Sequence, residues 1–302
     1  NTTYYSNALE GSLAYEGKKM NAGVSINRVD ADFKTLGTYF FNRDIMDIQA
    51  FTSFGLIDGK LNTLLKGGIQ TNNLDKSKPT TTKRVIYDLS TAWSSGDINV
   101  QVHYGNNTSD IGYVLNPALD SLNAVVVTQD AGLNITYNIP SKNENKQSIS
   151  LTGNAQDVSD DIEKPSRQST SKLYLINLGY TLTTQAKWSF FARGNYSQNK
   201  VQGLQLNRTG FGAGVKKSLF ENKLSLGLNA NYFLNKNALN QKSNNLIGQF
   251  LLGYQIFKGM NLQFNWGLLN TKAENTPSFT ENTANLGLQY NFGYVPKKKN
   301  KK

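Results

Sequence analysis

The sequence predicts an all-β protein, a transmembrane up-and-down antiparallel β-barrel of about 14–16 strands. Three observations predict it. Apolar and polar residues alternate in segment after segment, connections alternate between short and long, and no apolar run approaches the ~18 residues of a membrane-crossing helix. The longest purely aliphatic run is Ala124–Val127.

The composition agrees. Of 302 residues only 38% are hydrophobic, and the mean hydropathy is −0.47. A helical membrane protein is excluded by those values, but a barrel is not, because only every second strand residue must face lipid. Tyr and Phe number 15 each against 6 Pro, a mix that suits strands and polar turns. Cysteine is absent, so no disulfide framework and no thiolate metal site can form. The net charge of +11 would usually suggest nucleic acid. Here it is thinly spread, apart from a dense block at Lys297, Lys298, Lys299, Lys301 and Lys302, and nucleic acid is not an expected partner. The chain begins at Asn1 without a signal peptide and reads as mature or truncated.

Taken in order, the alternation places strands near 8–16, 19–28, 45–57, 60–71, 83–94, 97–105, 124–139, 147–157, 171–184, 187–198, 205–219, 222–234, 244–257, 260–271 and 281–295. Short turns are expected at Glu16–Lys19, Ile57–Lys60, Ser94–Asp97, Thr184–Lys187, Phe220–Lys223 and Phe257–Met260. Longer polar connections are expected at Asp30–Asp44, Leu74–Thr82, Asn106–Asn123 and Asp157–Thr170. Short turns on one rim and long loops on the other belong to an outer-membrane barrel, with the short side periplasmic. The barrel is expected over 1–296 and a basic periplasmic tail over 297–302. An odd strand count conflicts with the even number usual in bacterial barrels, and the expected reason is a portion missing upstream of Asn1.

The period of two also assigns faces. Leu224, Leu226, Leu228, Leu262, Phe264, Leu286 and Leu288 should meet lipid, and Asn229, Asn231, Gln263, Asn265, Gln289 and Asn291 should point inward. Aromatic residues near strand ends form a candidate girdle: Trp93, Trp188, Tyr254, Phe257, Phe292 and Tyr294, with Tyr104 among further candidates. The soluble rival is a β-sandwich, whose inner face also alternates. It fits poorly, because the opposite face here is mostly Asn, Gln, Ser, Thr and Gly and no Greek-key pattern is evident.

Chemistry is sparse. His103 is the single histidine and alternates in phase with Asn99 and Gln101, so it should line the lumen. No sequence feature pairs it with a nucleophile, and serine–histidine catalysis is unsupported. Gly210, Gly212 and Gly214 fail the phosphate-loop spacing and read as the inner face of a strand, where small residues leave space for another segment. Asp157, Asp160, Asp161 and Glu163 read as a solvated outer loop without calcium-loop spacing. Glu10, Asp47, Lys66, Asp88, Asp130, Arg193 and Lys216 should face inward, because a lone Lys or Arg in lipid costs roughly 2–4 kcal/mol. Of these, Lys66, Asp88, Arg193 and Lys216 join His103 as candidate lumen-lining residues. No catalytic residue, cofactor or metal is expected.

The segment Arg28-Val29-Asp30-Ala31-Asp32-Phe33-Lys34-Thr35-Leu36-Gly37-Thr38-Tyr39-Phe40-Phe41-Asn42 resembles a stretch found in an uncharacterised family of Bacteroidota outer-membrane β-barrel proteins. So does Gly68-Ile69-Gln70-Thr71-Asn72-Asn73-Leu74-Asp75, followed by Lys83-Arg84. The resemblance implies a bacterial outer-membrane location and brings no catalytic residues. Barrels of that phylum resemble subunits of secretion or barrel-insertion machines. The first functional expectation is therefore a structural or accessory subunit of an outer-membrane complex, and the alternative is a passive channel or transporter of small solutes. Expected partners are outer-membrane lipid, lipopolysaccharide and other envelope proteins.

Overall fold

A computed structural model describes residues 5–34, 43–113, 123–141, 143–162, 170–239, 241–274 and 276–290. They form a 15-stranded antiparallel sheet in which strands neighbour one another in chain order, the up-and-down arrangement. The strands are β1 (Ala8–Glu16), β2 (Met20–Val29), β3 (Ile45–Leu56), β4 (Leu61–Asn72), β5 (Thr80–Ser95), β6 (Ile98–Tyr113), β7 (Ala124–Ile139) and β8 (Lys146–Asp160). Then come β9 (Ser171–Thr183), β10 (Trp188–Val201), β11 (Leu204–Leu219), β12 (Leu224–Asn237), β13 (Lys242–Phe257), β14 (Met260–Ala273) and β15 (Thr276–Tyr290). No helix occurs among the described residues.

Every expected strand is present, but several run further on the long-loop side. β6 continues to Tyr113 and β8 to Asp160, so the expected loops over 106–123 and 157–170 begin later. Tyr104 consequently sits inside β6, not at a strand end. The local reason is that Asn106 and Ser109 are polar yet still satisfied: Thr108 donates its hydroxyl to Asn106 and Ser109 donates to Asn107. Strands of 16 residues exceed the ~10 needed to cross a bilayer and project beyond it.

The short turns are tight. Ile57, Asp58 and Gly59 all take positive φ, and Lys60 donates its amide to the Ile57 carbonyl at 3.0 Å. Phe220, Glu221 and Asn222 repeat the device, closed by Lys223 N–H to Phe220 O at 3.0 Å. At the long-loop ends side chains replace backbone partners. Asp44 is buried, accepts the Leu74 amide at 2.6 Å and pairs with Lys78 at 2.6 Å. Asn73 accepts the Lys78 amide and donates to Thr81.

Two compact units divide the chain. The first holds Asn1–Tyr137, Leu151–Ile176 and Ser197–Gln205, and the second holds Asn138–Ser150, Asn177–Tyr196 and Leu206–Lys302. In the first, cross-strand register builds apolar rows such as Leu61, Trp93, Val100 and Ile135, or Leu65, Leu89 and Tyr104. In the second, Leu228 pairs with Phe250, which pairs with Trp266, and Leu262 pairs with Leu288. These rows are open to their surroundings, with Phe211 59% and Leu228 55% exposed. A soluble sandwich would bury such residues at about 1.5–3 kcal/mol each, so their exposure fits lipid as the solvent of this face. Polar groups on it pair among themselves, as Thr63 and Thr91 do through their hydroxyls at 3.3 Å.

Candidate functional site

The opposite face is polar, and its side chains lean across glycines. In the second unit Gly210, Gly212 and Gly214 lie on the same face as Asn229, Asn231 and Phe233. A Cβ at Gly212 would collide with Asn231 Oδ1 and would lie 2.9 Å from Arg193 Nε. The empty space lets Arg193 cross from β10 and donate to Asn231 Oδ1 through Nε at 3.0 Å and Nη2 at 2.6 Å. Arg208 lies over the Phe233 ring at 3.6 Å. Lys216 stands opposite Gly227 on the same face.

In the first unit the same construction brings ionisable groups together. Asp130 leans over Gly105, whose Cβ would meet Asp130 Oδ1 at 2.7 Å. That brings Asp130 Oδ2 to 2.7 Å from His103 Nε2. On the other side of the ring, Asp88 Oδ2 lies 3.3 Å from Nδ1 and Ser90 Oγ 3.4 Å from the same nitrogen. Lys66 stands opposite Asp88 in the β4–β5 register, with no ion pair between them among the described residues. Asn154 reaches over Gly132 beside the ring.

Where no motif paired His103 with a nucleophile, the register does bring a hydroxyl to it: Ser90 is its partner across the β5–β6 hairpin. That pairing had a readable signal. The tight turn at Gly96–Asp97 sets Ser95 opposite Ile98, and five steps back from it Ser90 meets His103. Asp130 had no such signal, because a long connection separates β6 from β7. The cluster is poorly arranged for nucleophilic catalysis. The hydroxyl contact is long, and Asp88 competes for the nitrogen that would take the serine proton. A protonated ring, by contrast, can donate to both carboxylates at once.

His103 and Ser90 line a cavity of about 1130 Å³ within the first unit. Amides contribute much of its wall through Asn21, Asn62, Gln101, Asn134 and Asn154, with Thr152 and Ser53 beside them.

The candidate girdle residues that the structure describes lie on the apolar face. Trp93 stands opposite Leu61 and Val100, and Tyr254 opposite Leu224 and Leu262. Trp188 stacks on Phe190 with centroids 6.0 Å apart, and the Lys217 ammonium sits 4.8 Å from the indole while donating to the Ala186 carbonyl. Phe257 meets Tyr290 edge-on at 5.9 Å. Phe292, Tyr294, Asn291 and the lysine tail lie outside the described residues. The acidic outer loop is corrected in part. Asp157 and Asp160 belong to β8, Asp157 pairs with Lys172 at 2.9 Å, and Asp161 accepts the Val125 amide. Glu163 is outside the described residues. No metal-binding group of His, Cys, Asp and Glu occurs among those that are described.

An apolar lipid face, a polar inner face and hairpins in chain order define an integral β-barrel of the bacterial outer membrane. The chain belongs to the outer membrane protein beta-barrel family, whose model matches residues 78–266, more than half of its length. Among solved structures it is similar to the ferric enterobactin receptor of Pseudomonas aeruginosa, with a TM-score of 0.57 at 10% identity over 88% of this chain and 51% of the receptor. The ferric preacinetobactin receptor of Acinetobacter baumannii gives a TM-score of 0.55 at 10% identity over 94% of this chain and 53% of the receptor. The chain thus spans about half the length of each receptor. A loop L8 deletion mutant of OmpT, an outer membrane protein of Vibrio cholerae, is covered over 96% of its length at 8% identity, with a TM-score of 0.44. At these identities the likeness is one of fold. None of the curated proteins matches the sequence.

Proposed function

We propose that this barrel passes small polar solutes across the outer membrane, and that its ionisable inner residues line the route without doing covalent chemistry. The observation that carries the reading is the cavity of about 1130 Å³, whose wall mixes amides and hydroxyls with apolar residues such as Phe54, Leu64 and Val102. Amides offer both donors and acceptors, so a hydrated solute exchanges water for protein partners at little cost. The charges around the cavity are of both signs, which suits a general polar route better than a strongly ion-selective one. Lipid and lipopolysaccharide cover the apolar face in this reading.

The test is swelling of liposomes reconstituted with the purified barrel. A pentose should enter faster than a disaccharide, and a disaccharide faster than a trisaccharide. No entry of any solute, from protein shown to be folded and inserted, would defeat the reading. Stable copurification of other envelope proteins in mild detergent, together with that result, would favour the accessory-subunit role instead.

A further inference from the structure

We infer that Asp88 and Ser90, beside His103, form a binding site for the primary ammonium group of a small solute, in competition with a proton on His103. The inference deepens the solute-passage reading, on which it rests for how the solute arrives.

A neutral imidazole carries a single N–H. The shorter contact, Nε2 to Asp130 at 2.7 Å, takes it. Nδ1 then presents a lone pair, and Asp88 Oδ2 faces that lone pair from 3.3 Å. Ser90 can donate its hydroxyl to Nδ1, at 3.4 Å, but Asp88 is left facing electron density with no donor between. With the ring neutral, the cluster lacks one positive donor.

Two kinds of donor can supply it. A proton on Nδ1 converts the ring to an imidazolium that donates to both carboxylates. Alternatively an ammonium group, with three N–H donors, can lie against Asp88 and the Ser90 oxygen. The charged groups facing the ring are Asp88 from β5 and Asp130 from β7, with Lys66 from β4 next along the face. Lys66 is the internal competitor, since it is the register partner of Asp88 across β4–β5. His103 and Ser90 both line the cavity, and the Asp88 carboxylate beside them is 31% exposed. A quaternary ammonium has the same charge but no N–H, so it should not substitute.

His103 is the single histidine, so its ring resonances need no assignment against others. The experiment is a pH titration of those resonances by NMR, with the whole chain in detergent micelles. Methylammonium chloride is compared with tetramethylammonium chloride at equal ionic strength. Methylammonium should lower the midpoint by about half a pH unit or more, since ligand and proton compete. Asp88→Asn should abolish the difference between the two salts, and Lys66→Gln should enlarge it. Ser90→Ala, which leaves the carboxylates in place, should weaken it and guards against a folding defect in Asp88→Asn. Equal midpoints in the two salts for the unaltered protein would overturn the inference. That outcome with intact sugar entry would sink the ammonium site alone. A midpoint that moves without any sugar entry would sink solute passage and leave the site standing.

Discussion

The polar faces of β3–β7 and of β10–β15 are built by one rule and carry different charges. On β3–β7 acids and bases are mixed, Asp47, Asp88 and Asp130 with Lys66, Arg84 and His103, and Asp88 and Asp130 flank the histidine. On β10–β15 they are Arg193, Arg208 and Lys216 with Glu281, and the cations are engaged by neutral groups, an asparagine and a phenylalanine. Both regions use glycines as floors over which a longer side chain leans, Gly105 under Asp130 and Gly212 under Arg193. The difference teaches that the glycines determine where side chains can converge, while the residues that lean decide the sign of the surface.

The largest effect should come from violating the facing rule itself. Leu228→Arg on the apolar face should lower stability by about 2–4 kcal/mol in urea unfolding from vesicles, whereas Asn229→Arg, one step along, should cost far less. Equal losses would show that both faces meet the same solvent. Next are the glycine floors. Gly212→Val would drive a side chain into Arg193 and Asn231, and Gly105→Val into Asp130, each costing about 1–3 kcal/mol. Gly112→Val, where a Cβ meets nothing within 4 Å, is the control and should be close to neutral. Arg193→Ala should cost about 1–2 kcal/mol, because buried Asn231 loses the donors on its carbonyl oxygen. Lys217→Ala, which removes the ammonium over Trp188, should cost only about 0.5–1 kcal/mol and should change the tryptophan emission.

The smallest effect is one of pH at a long-loop end. The Asn7 backbone N–H, at 2.9 Å, and then the Arg28 guanidinium hold the Asp30 carboxyl below the usual carboxylate range. A carboxyl depressed on folding stabilises the folded state above its unfolded value of 3.8, and the contribution fades as pH falls through the lower folded value. Hydrogen exchange at the Asn7 amide should therefore accelerate, relative to the intrinsic rate, only in strongly acidic solution. Acceleration already at neutral pH would show that this junction opens for another reason.

Alternation alone made most of this architecture readable, because a period of two survives any local irregularity. Ala8–Glu16 and Ala124–Ile139 begin and end where the residue pattern places them. β6 ran eight residues beyond its apolar stretch, since its Asn, Thr and Ser side chains satisfy each other on the strand. Such pairing leaves no trace in hydrophobic periodicity. The candidate site divides in the same way. The facing of His103 follows from phase and its contact with Ser90 from a two-residue turn, but its contact with Asp130 depends on a register set through a long connection. The leaning of Asp130 over Gly105 is a packing event that no local signal announces.

Pairing in chain order has a consequence for how the molecule is made. Each hairpin joined by a short turn finds its partner strand within a few residues, so ring closure costs little entropy and contact order stays low. The backbone groups of one hairpin are half satisfied before the next is available. Entry into lipid can then proceed hairpin by hairpin, with tight turns such as Ile57–Lys60 and Phe220–Lys223 holding the two strands of each pair together.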